Sequence, residues 1–195
     1  GRSLIVAQTT SDVAESAVLS TSVVAFVILG MLVGIHTTRQ KDIKQGLARG
    51  FVSWIPLMMV VGWVYGIMGY TGYQINAQTV TIGALSLGLG VDYAVHFSIR
   101  LEEEVEHHPT HSQEVWVTNA SATTGRAMFA AALTTAGGFS VLNLSALLPL
   151  RLFGQAFVVA ITLALLSSMI LLPAFYTPFL KQDAKRIALE HSEAE

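Results

Sequence analysis

The longest uncharged stretch of the sequence is GFVSWIPLMMVVGWVYGIMGYTGYQINAQTVTIGALSLGLGV, the 42 residues from Gly50 to Val91, which contain no Lys, Arg, Asp or Glu. A membrane-spanning helix needs ~20 apolar residues to cross the hydrocarbon core, so this stretch has room for two crossings. Three further uncharged stretches, of 23, 24 and 29 residues, have room for one crossing each; they lie between Glu15 and Arg39, between Arg126 and Arg151, and between Arg151 and Lys181. The sequence therefore predicts an all-α membrane protein, a bundle of five transmembrane helices.

The composition of the whole chain agrees with this class. Charged residues make up 12% of the 195 residues and hydrophobic residues 52%, and the mean hydropathy is +0.56. These values exclude a disordered chain and a water-soluble globule. The absence of cysteine excludes disulfides, thiolate metal sites and a cysteine nucleophile. With a net charge of −2 and a pI near 6.3, nucleic acid is not an expected partner.

The spans are predicted at about 13–35, 51–68, 76–99, 126–147 and 152–175. A turn is expected at residues 69–73, a break at Pro149, and a polar cytoplasmic tail over 181–195. Of the 11 Lys and Arg residues, nine fall in the tail and in the loops after spans one and three, and two fall on the opposite side. The positive-inside rule then places the tail in the cytoplasm and the N-terminus outside.

One long connection, from Arg100 to Arg126, joins spans three and four. It opens with acidic residues that are expected to be solvated, is broken at Pro109, and resumes as a short helix with Val115, Trp116, Asn119 and Ala120 on one face. That helix either lies on the inner membrane surface or is a solvated linker. His107, His108 and His111 could in principle bind zinc, but a solvated loop is the favoured interpretation, so no metal site is predicted. No catalytic motif is present, and neither an enzyme nor a cofactor is expected.

Asp92 is the charged residue predicted to lie deep within a span. A carboxylate at mid-bilayer costs ~2.5–3.5 kcal/mol, so such a residue is retained when it functions or when a partner satisfies it. The functional hypothesis is a carboxylate that takes up and releases a proton. Tyr93 could donate a hydrogen bond to it, and His96, one turn further on the same face, could tune or relay the proton. The structural alternative is an Asp that is hydrogen-bonded to a neighbouring helix.

Small and hydroxylated residues surround this candidate site. Gly88 and Gly90 make span three thin and are expected to allow close packing. Thr134 and Thr135, in a polar stripe on span four, either hold helices together or contact Asp92 directly or through water. Both interpretations remain open from the sequence.

Three motifs then support a family resemblance. The first is GLGVDYAVH from Gly88 to His96, followed by Arg100 and the acidic residues 102–104; the others are TGRAM at 124–128 with ALTTAGGF at 132–139, and LLPA at 171–174. In this order they resemble the MmpL-like branch of the resistance–nodulation–division (RND) superfamily. The chain resembles the last five spans of one RND half, and its polar tail resembles the C-terminus of the second half. A full RND transporter has twelve spans and two extracytoplasmic domains, so a partner half is expected.

The resemblance implies a function for the candidate residues. The Asp-Tyr pair at Asp92 and Tyr93 would be the proton-coupling site of an exporter that moves lipids or other hydrophobic molecules in a prokaryotic cytoplasmic membrane. The partners would be membrane lipids and a second RND-like half, which could be another copy of this chain, or a larger membrane complex. Two alternatives stay open: a module like a sterol-sensing domain, which binds lipid or regulates, and a structural subunit. Transport requires Asp92 to titrate, whereas a scaffold requires only that it be satisfied.

Overall fold

The computed structural model describes residues 2–73 and 81–194, together with their side chains except those of residues 2–14, 17 and 191–194. Within this part of the chain there are seven α-helices and no strand. They are α1 (Arg2–Gln40), α2 (Ile43–Tyr70), α3 (Ile82–His107), α4 (Gln113–Ala120), α5 (Arg126–Ser140), α6 (Leu148–Leu166) and α7 (Leu172–Ala194). Two π-helical segments, Ser121–Gly125 and Ser167–Leu171, connect α4 to α5 and α6 to α7, and a 3₁₀ turn at Val141–Leu144 follows α5.

These elements form five continuous helical stretches that are long and apolar enough to cross a membrane. They are Val18–Gln40, Ile43–Tyr70, Ile82–His107, Gln113–Leu144 and Leu148–Glu190. The predicted all-α architecture with five spans is confirmed.

The helices extend further than the charge pattern suggested. Helix α3 continues to His107, so the first third of the expected loop is helical; its predicted beginning at residues 76–80 lies outside the described residues. The short helix α4, expected either on the inner membrane surface or as a solvated linker, runs without a break through the first π-helical segment into α5. The expected tail from residue 181 onward belongs to α7, where Asp183 is only 6% exposed.

Close packing between α1 and α2 fixes the first antiparallel pair. A Cβ atom on Gly50 would lie 2.7 Å from the backbone nitrogen of Val33, so only glycine allows this approach. One indole, that of Trp54, donates a hydrogen bond to the carbonyl of Ala25 at 2.9 Å. The chain reverses at Lys41, whose φ of 55° is in the left-handed region. We call the end of the bundle that holds this reversal the charged end.

Helix α3 lies at the centre of the bundle. In its most apolar window 56% of the residues are buried, the same share as in the Leu148–Glu190 stretch, against 11% for the Gln113–Leu144 stretch. A Cβ atom on Gly90 would lie 2.9 Å from Leu57 Cδ2 and 3.7 Å from Ala164 Cβ, so this glycine packs against α2 and α6. One face of α3 therefore meets the bundle core, and the other faces α4 and α5.

The α5–α6 pair is held by aromatic residues at the end opposite the charged end. The ring of Phe139 lies 4.0 Å from that of Phe157, centroid to centroid, and 6.1 Å from that of Phe153. Towards the charged end, Gly125 adjoins Met169, since a Cβ on this glycine would lie 2.9 Å from Met169 Cε. The two π-helical segments therefore touch at this point.

Candidate functional site

A cavity of about 430 Å³ lies between α3 and the α4–α5 stretch. We call it the Asp92 cavity. Helix α3 lines one side and the first π-helical segment and α5 line the other; the lining residues are Leu89, Asp92, Tyr93, His96, Thr124, Ala127, Met128, Ala131 and Thr135. The structure thus brings together four residues that the sequence singled out: Asp92, Tyr93, His96 and Thr135.

Asp92 and Tyr93 occupy different environments although both line this cavity. Asp92 is exposed, and no ion pair to it occurs among the residues that the structure describes. Tyr93 is only 8% exposed and belongs to the hydrophobic core. His96 follows one turn after Asp92 and is also exposed. The carboxyl group of Asp92 is therefore accessible within this chain. Its position deep within a span had led us to expect that it is buried.

The threonine hydroxyls are satisfied within their own helix. Thr134 Oγ1 donates to the carbonyl of Ala130 at 2.8 Å, and Thr135 Oγ1 donates to that of Ala131 at 2.9 Å. Thr135 lines the Asp92 cavity, whereas Thr134 is exposed and is not among the lining residues. In the polar stripe of span four it is Asn143 that reaches another helix, since it accepts a hydrogen bond from Gln155 Nε2 at 2.8 Å.

The two glycines of α3 also differ. Gly90 is buried and packs against α2 and α6, whereas Gly88 is exposed and a Cβ there would meet no atom within 4 Å. Gly88 lies one turn before Asp92, so any partner it packs against would lie on the same open face as the carboxylate.

A second group of polar residues, which the sequence reasoning missed, lies buried at the charged end. At its centre, Glu102 is 2% exposed and accepts hydrogen bonds from Tyr176 at 2.5 Å, Arg39 Nε at 2.9 Å and Arg49 Nη1 at 3.2 Å. This Glu102 cluster comprises residues of α1, α2, α3 and α7: His36, Arg39, Arg49, Glu102, Tyr176 and Asp183. One carboxylate on α3 therefore joins four helices.

Arg49 forms the other centre of the Glu102 cluster. Its side chain is fully buried and binds Asp183 through two contacts of 2.8 Å, from Nη1 to Oδ2 and from Nη2 to Oδ1. Its guanidinium carbon also lies 5.3 Å from the centre of the Phe179 ring. A buried arginine needs such pairing, because the desolvation cost of an unpaired buried charge is several kcal/mol.

His36 is the remaining buried member of the Glu102 cluster. It is fully buried, with Nε2 at 3.4 Å from Ser53 Oγ and Nδ1 at 3.2 Å from the Tyr176 hydroxyl. A histidine at the end of an apolar span was the sequence signal for this cluster. The expectation that Glu102 and Glu104 are solvated was wrong: Glu104 is also only 5% exposed, because Arg100 and Asn119 bind it.

The histidines after α3 lie at the surface. His107, His108 and His111 are exposed, and the rings of His108 and His111 stack with 4.8 Å between their centroids. Among the described residues no group of three His, Asp or Glu side chains is placed to hold a metal ion.

Comparison with known proteins places this arrangement in a family. The MMPL family model matches residues 51–186, from the first half of α2 into α7. The chain belongs to the MMPL family. Asp92, its cavity and half of the Glu102 cluster lie within the matched residues, whereas His36, Arg39 and Arg49 precede them. Family and apolar helices together identify an integral membrane protein.

Several relatives of this chain are described only as membrane proteins or as a transport protein. A membrane protein of Methanocaldococcus jannaschii is 32% identical over 120 residues, 62% of this chain and 30% of that protein. ActII-3, a membrane protein of Streptomyces coelicolor, is 36% identical over 117 residues, 60% of this chain and 16% of that protein. MmpL12 of Mycobacterium tuberculosis, whose name describes it as a probable transport protein, is 33% identical over 107 residues, 54% of this chain and 9% of that protein.

The match with this chain thus covers less than a third of the length of each of these relatives. No solved structure matches it.

Proposed function

We propose that this chain forms five spans of a proton-coupled MmpL-like exporter of lipids or other hydrophobic molecules, and that it acts with a partner half. Asp92 is the proton carrier in this proposal, and Tyr93 and His96 tune it or relay the proton. The observation that carries the proposal is the position of Asp92, which is the eleventh residue of the 26-residue helix α3 and faces the Asp92 cavity. The MMPL match and the similarity to MmpL12 support transport as the activity.

The position of Asp92 also supports a partner half. A carboxylate exposed to lipid at mid-span costs ~2.5–3.5 kcal/mol, so protein or water must cover it in the membrane. The face that carries it also exposes Gly88 and His96. A second half packed on this face would close the Asp92 cavity and exclude lipid from the carboxylate. The partner is a second copy, another chain or a further part of the same polypeptide.

The α5 surface supports a hydrophobic substrate. Only Met128 and Ala132 of this helix are buried, and it exposes Phe129 and Leu133 on its outer side. A substrate that approaches within the bilayer meets this apolar surface next to the Asp92 cavity. A proton that crosses 100 mV supplies ~2.3 kcal/mol from the electrical term, and this energy would drive the substrate outward.

The proposal is tested with Asp92→Asn in the native complex that contains this chain, purified in mild detergent and reconstituted in lipid vesicles. Proton flux is followed with a trapped pH-sensitive dye under an imposed pH gradient. We expect normal folding, because asparagine keeps the size of the side chain. We expect complete loss of proton flux, because the asparagine amide does not take up or release a proton in the pH range of the assay. The matched control is Glu106→Gln, which neutralises an exposed acid on the same helix.

Undiminished proton flux in Asp92→Asn would contradict the mechanism. The subunit composition of the purified complex tests the partner half. A chain that purifies as a monomer, or with proteins unrelated to the MMPL family, would favour the lipid-binding or structural alternative.

A further inference from the structure

Arg100 bridges α3 and the first π-helical segment. Its Nε donates to Thr123 Oγ1 at 3.2 Å, and its two terminal nitrogens bind Glu103, at 3.3 Å, and Glu104. The second oxygen of Glu104 accepts a hydrogen bond from Asn119 Nδ2 at 3.1 Å. These contacts close a ring between the end of α3 and the chain at residues 119–123.

The ring lies at the charged-end mouth of the Asp92 cavity. Arg100 follows His96 by one helical turn and Asp92 by about two, a rise of ~12 Å along α3. On the facing side, Thr123 directly precedes Thr124, which lines the cavity. A proton that leaves Asp92 towards the charged end therefore passes His96 and then the guanidinium of Arg100.

The backbone on the facing side is irregular at this point. Residues 121–125 form a π-helical segment, a geometry that is rare and is often found at functional sites. Thr123 Oγ1 also donates to the carbonyl of Asn119 at 2.9 Å, so its hydroxyl has a partner in either state of the mouth. The contact between Arg100 and Thr123 can break without leaving the threonine unsatisfied.

We propose that Arg100, through its contact with Thr123, is the gate on the cytoplasmic side of the proton path. With the contact made, the Arg100 side chain, which Glu103 and Glu104 hold in place, occupies the mouth and closes the proton path. With the contact broken, a proton passes from the Asp92 carboxyl to cavity water, moves past His96 and the half-exposed Glu103, and enters the cytoplasmic solvent, leaving Asp92 as a carboxylate. This inference rests on the proposed function and assigns a gating residue to it.

The test is the passive proton leak of the reconstituted complex without substrate, measured with a trapped pH-sensitive dye under a potassium diffusion potential. We expect Arg100→Gln to raise the leak about tenfold, the effect of one lost charge-assisted hydrogen bond on a two-state equilibrium. Thr123→Val, which keeps the charge and the shape, should raise it less, and Thr123→Ser should restore the closed state. The control is Arg126→Gln, which removes an exposed positive charge near the same mouth.

A double variant separates the loss of the gate from general damage to the structure. The leak of Arg100→Gln must vanish when Asp92→Asn is added, because the path runs through that carboxyl. A leak that survives in the double variant, or an unchanged leak in both Arg100→Gln and Thr123→Val, would overturn the gate. If the unmodified complex shows no proton flux under any gradient, the proposed function itself fails.

Discussion

Helix α3 carries acidic residues in two contrasting regions, the Asp92 cavity and the Glu102 cluster. Asp92 is exposed and faces open space, whereas Glu102, ten residues later, is 2% exposed and accepts three hydrogen bonds. Glu102 ties α3 to α1, α2 and α7, and Asp92 faces the loosely packed α4–α5 stretch. The difference indicates that the charged end holds α3 in place while the cavity side remains free to change its contacts.

Among the residues of the two regions, Arg49 is expected to contribute most to the stability of the protein. Replacing it by leucine leaves the buried carboxylates of Glu102 and Asp183 without their shared partner. We expect a loss of about 3 kcal/mol in the free energy of unfolding, at the lower end for a broken buried pair because Arg39 and Arg186 remain nearby. Unfolding by a denaturing detergent measures it.

The exposed Arg126→Leu serves as the control for Arg49→Leu, with an expected change within about 0.5 kcal/mol. Equal effects in the two variants would show that the Glu102 cluster does not hold the helices together.

Two tyrosines, one in each region, allow the contribution of a single hydroxyl group to be measured in both. Tyr176→Phe removes the 2.5 Å hydrogen bond to Glu102 and should cost about 1.5–3 kcal/mol of stability, the usual range for a hydrogen bond to a charged group. Tyr93→Phe should leave stability nearly unchanged and slow proton flux. Thermal unfolding and the vesicle assay, run on both variants, check this. The reverse pattern would mean that the functional and structural regions have been assigned the wrong way round.

The two glycines of α3 give the smallest expected effects. Gly90→Leu forces a side chain against Leu57 and Ala164 and should cost about 1–3 kcal/mol. Gly88→Leu meets no atom of the chain, so unfolding should change little, while association with the partner half should weaken. Thermal unfolding and native mass of the complex separate the two. A complex that assembles normally with Gly88→Leu would show that the partner does not pack on this face.

Much of the fold could be predicted because the membrane limits the possible solutions. Charge-free stretches of the right length fixed the five spans, and the glycines at residues 69–73 fixed a turn, where Gly72 has a φ of 71°. Pro149 was expected to break the chain, and it stands in the first turn of α6, where proline is favoured. These features depend on local sequence alone.

The Glu102 cluster could not be predicted in the same way. Arg49 is 53 residues from Glu102 and 134 residues from Asp183 in the sequence, and each appears there as a charge next to an apolar stretch. The sequence alone does not show which charged helix ends lie at the same level of the helix bundle. The helix ends were missed for a related reason, because a run of charges ends a hydrophobic stretch without ending the helix.

The candidate site was easier to find because its residues are close in sequence. Asp92, Tyr93 and His96 lie within two turns of α3, and the structure places Thr135 opposite them and adds Thr124. The different positions of Thr134 and Thr135 depend on how α5 is rotated, which a polar stripe alone does not determine.

The role of Asp92 as the proton carrier is tested by observing whether its carboxyl group gains and loses a proton. Infrared difference spectra of the reconstituted complex, recorded between acidic and alkaline pH, report protonated carboxyl groups. We predict a carboxyl band that disappears in Asp92→Asn and persists in Glu102→Gln. A band that is unchanged in Asp92→Asn would contradict the assignment of Asp92 as the proton carrier.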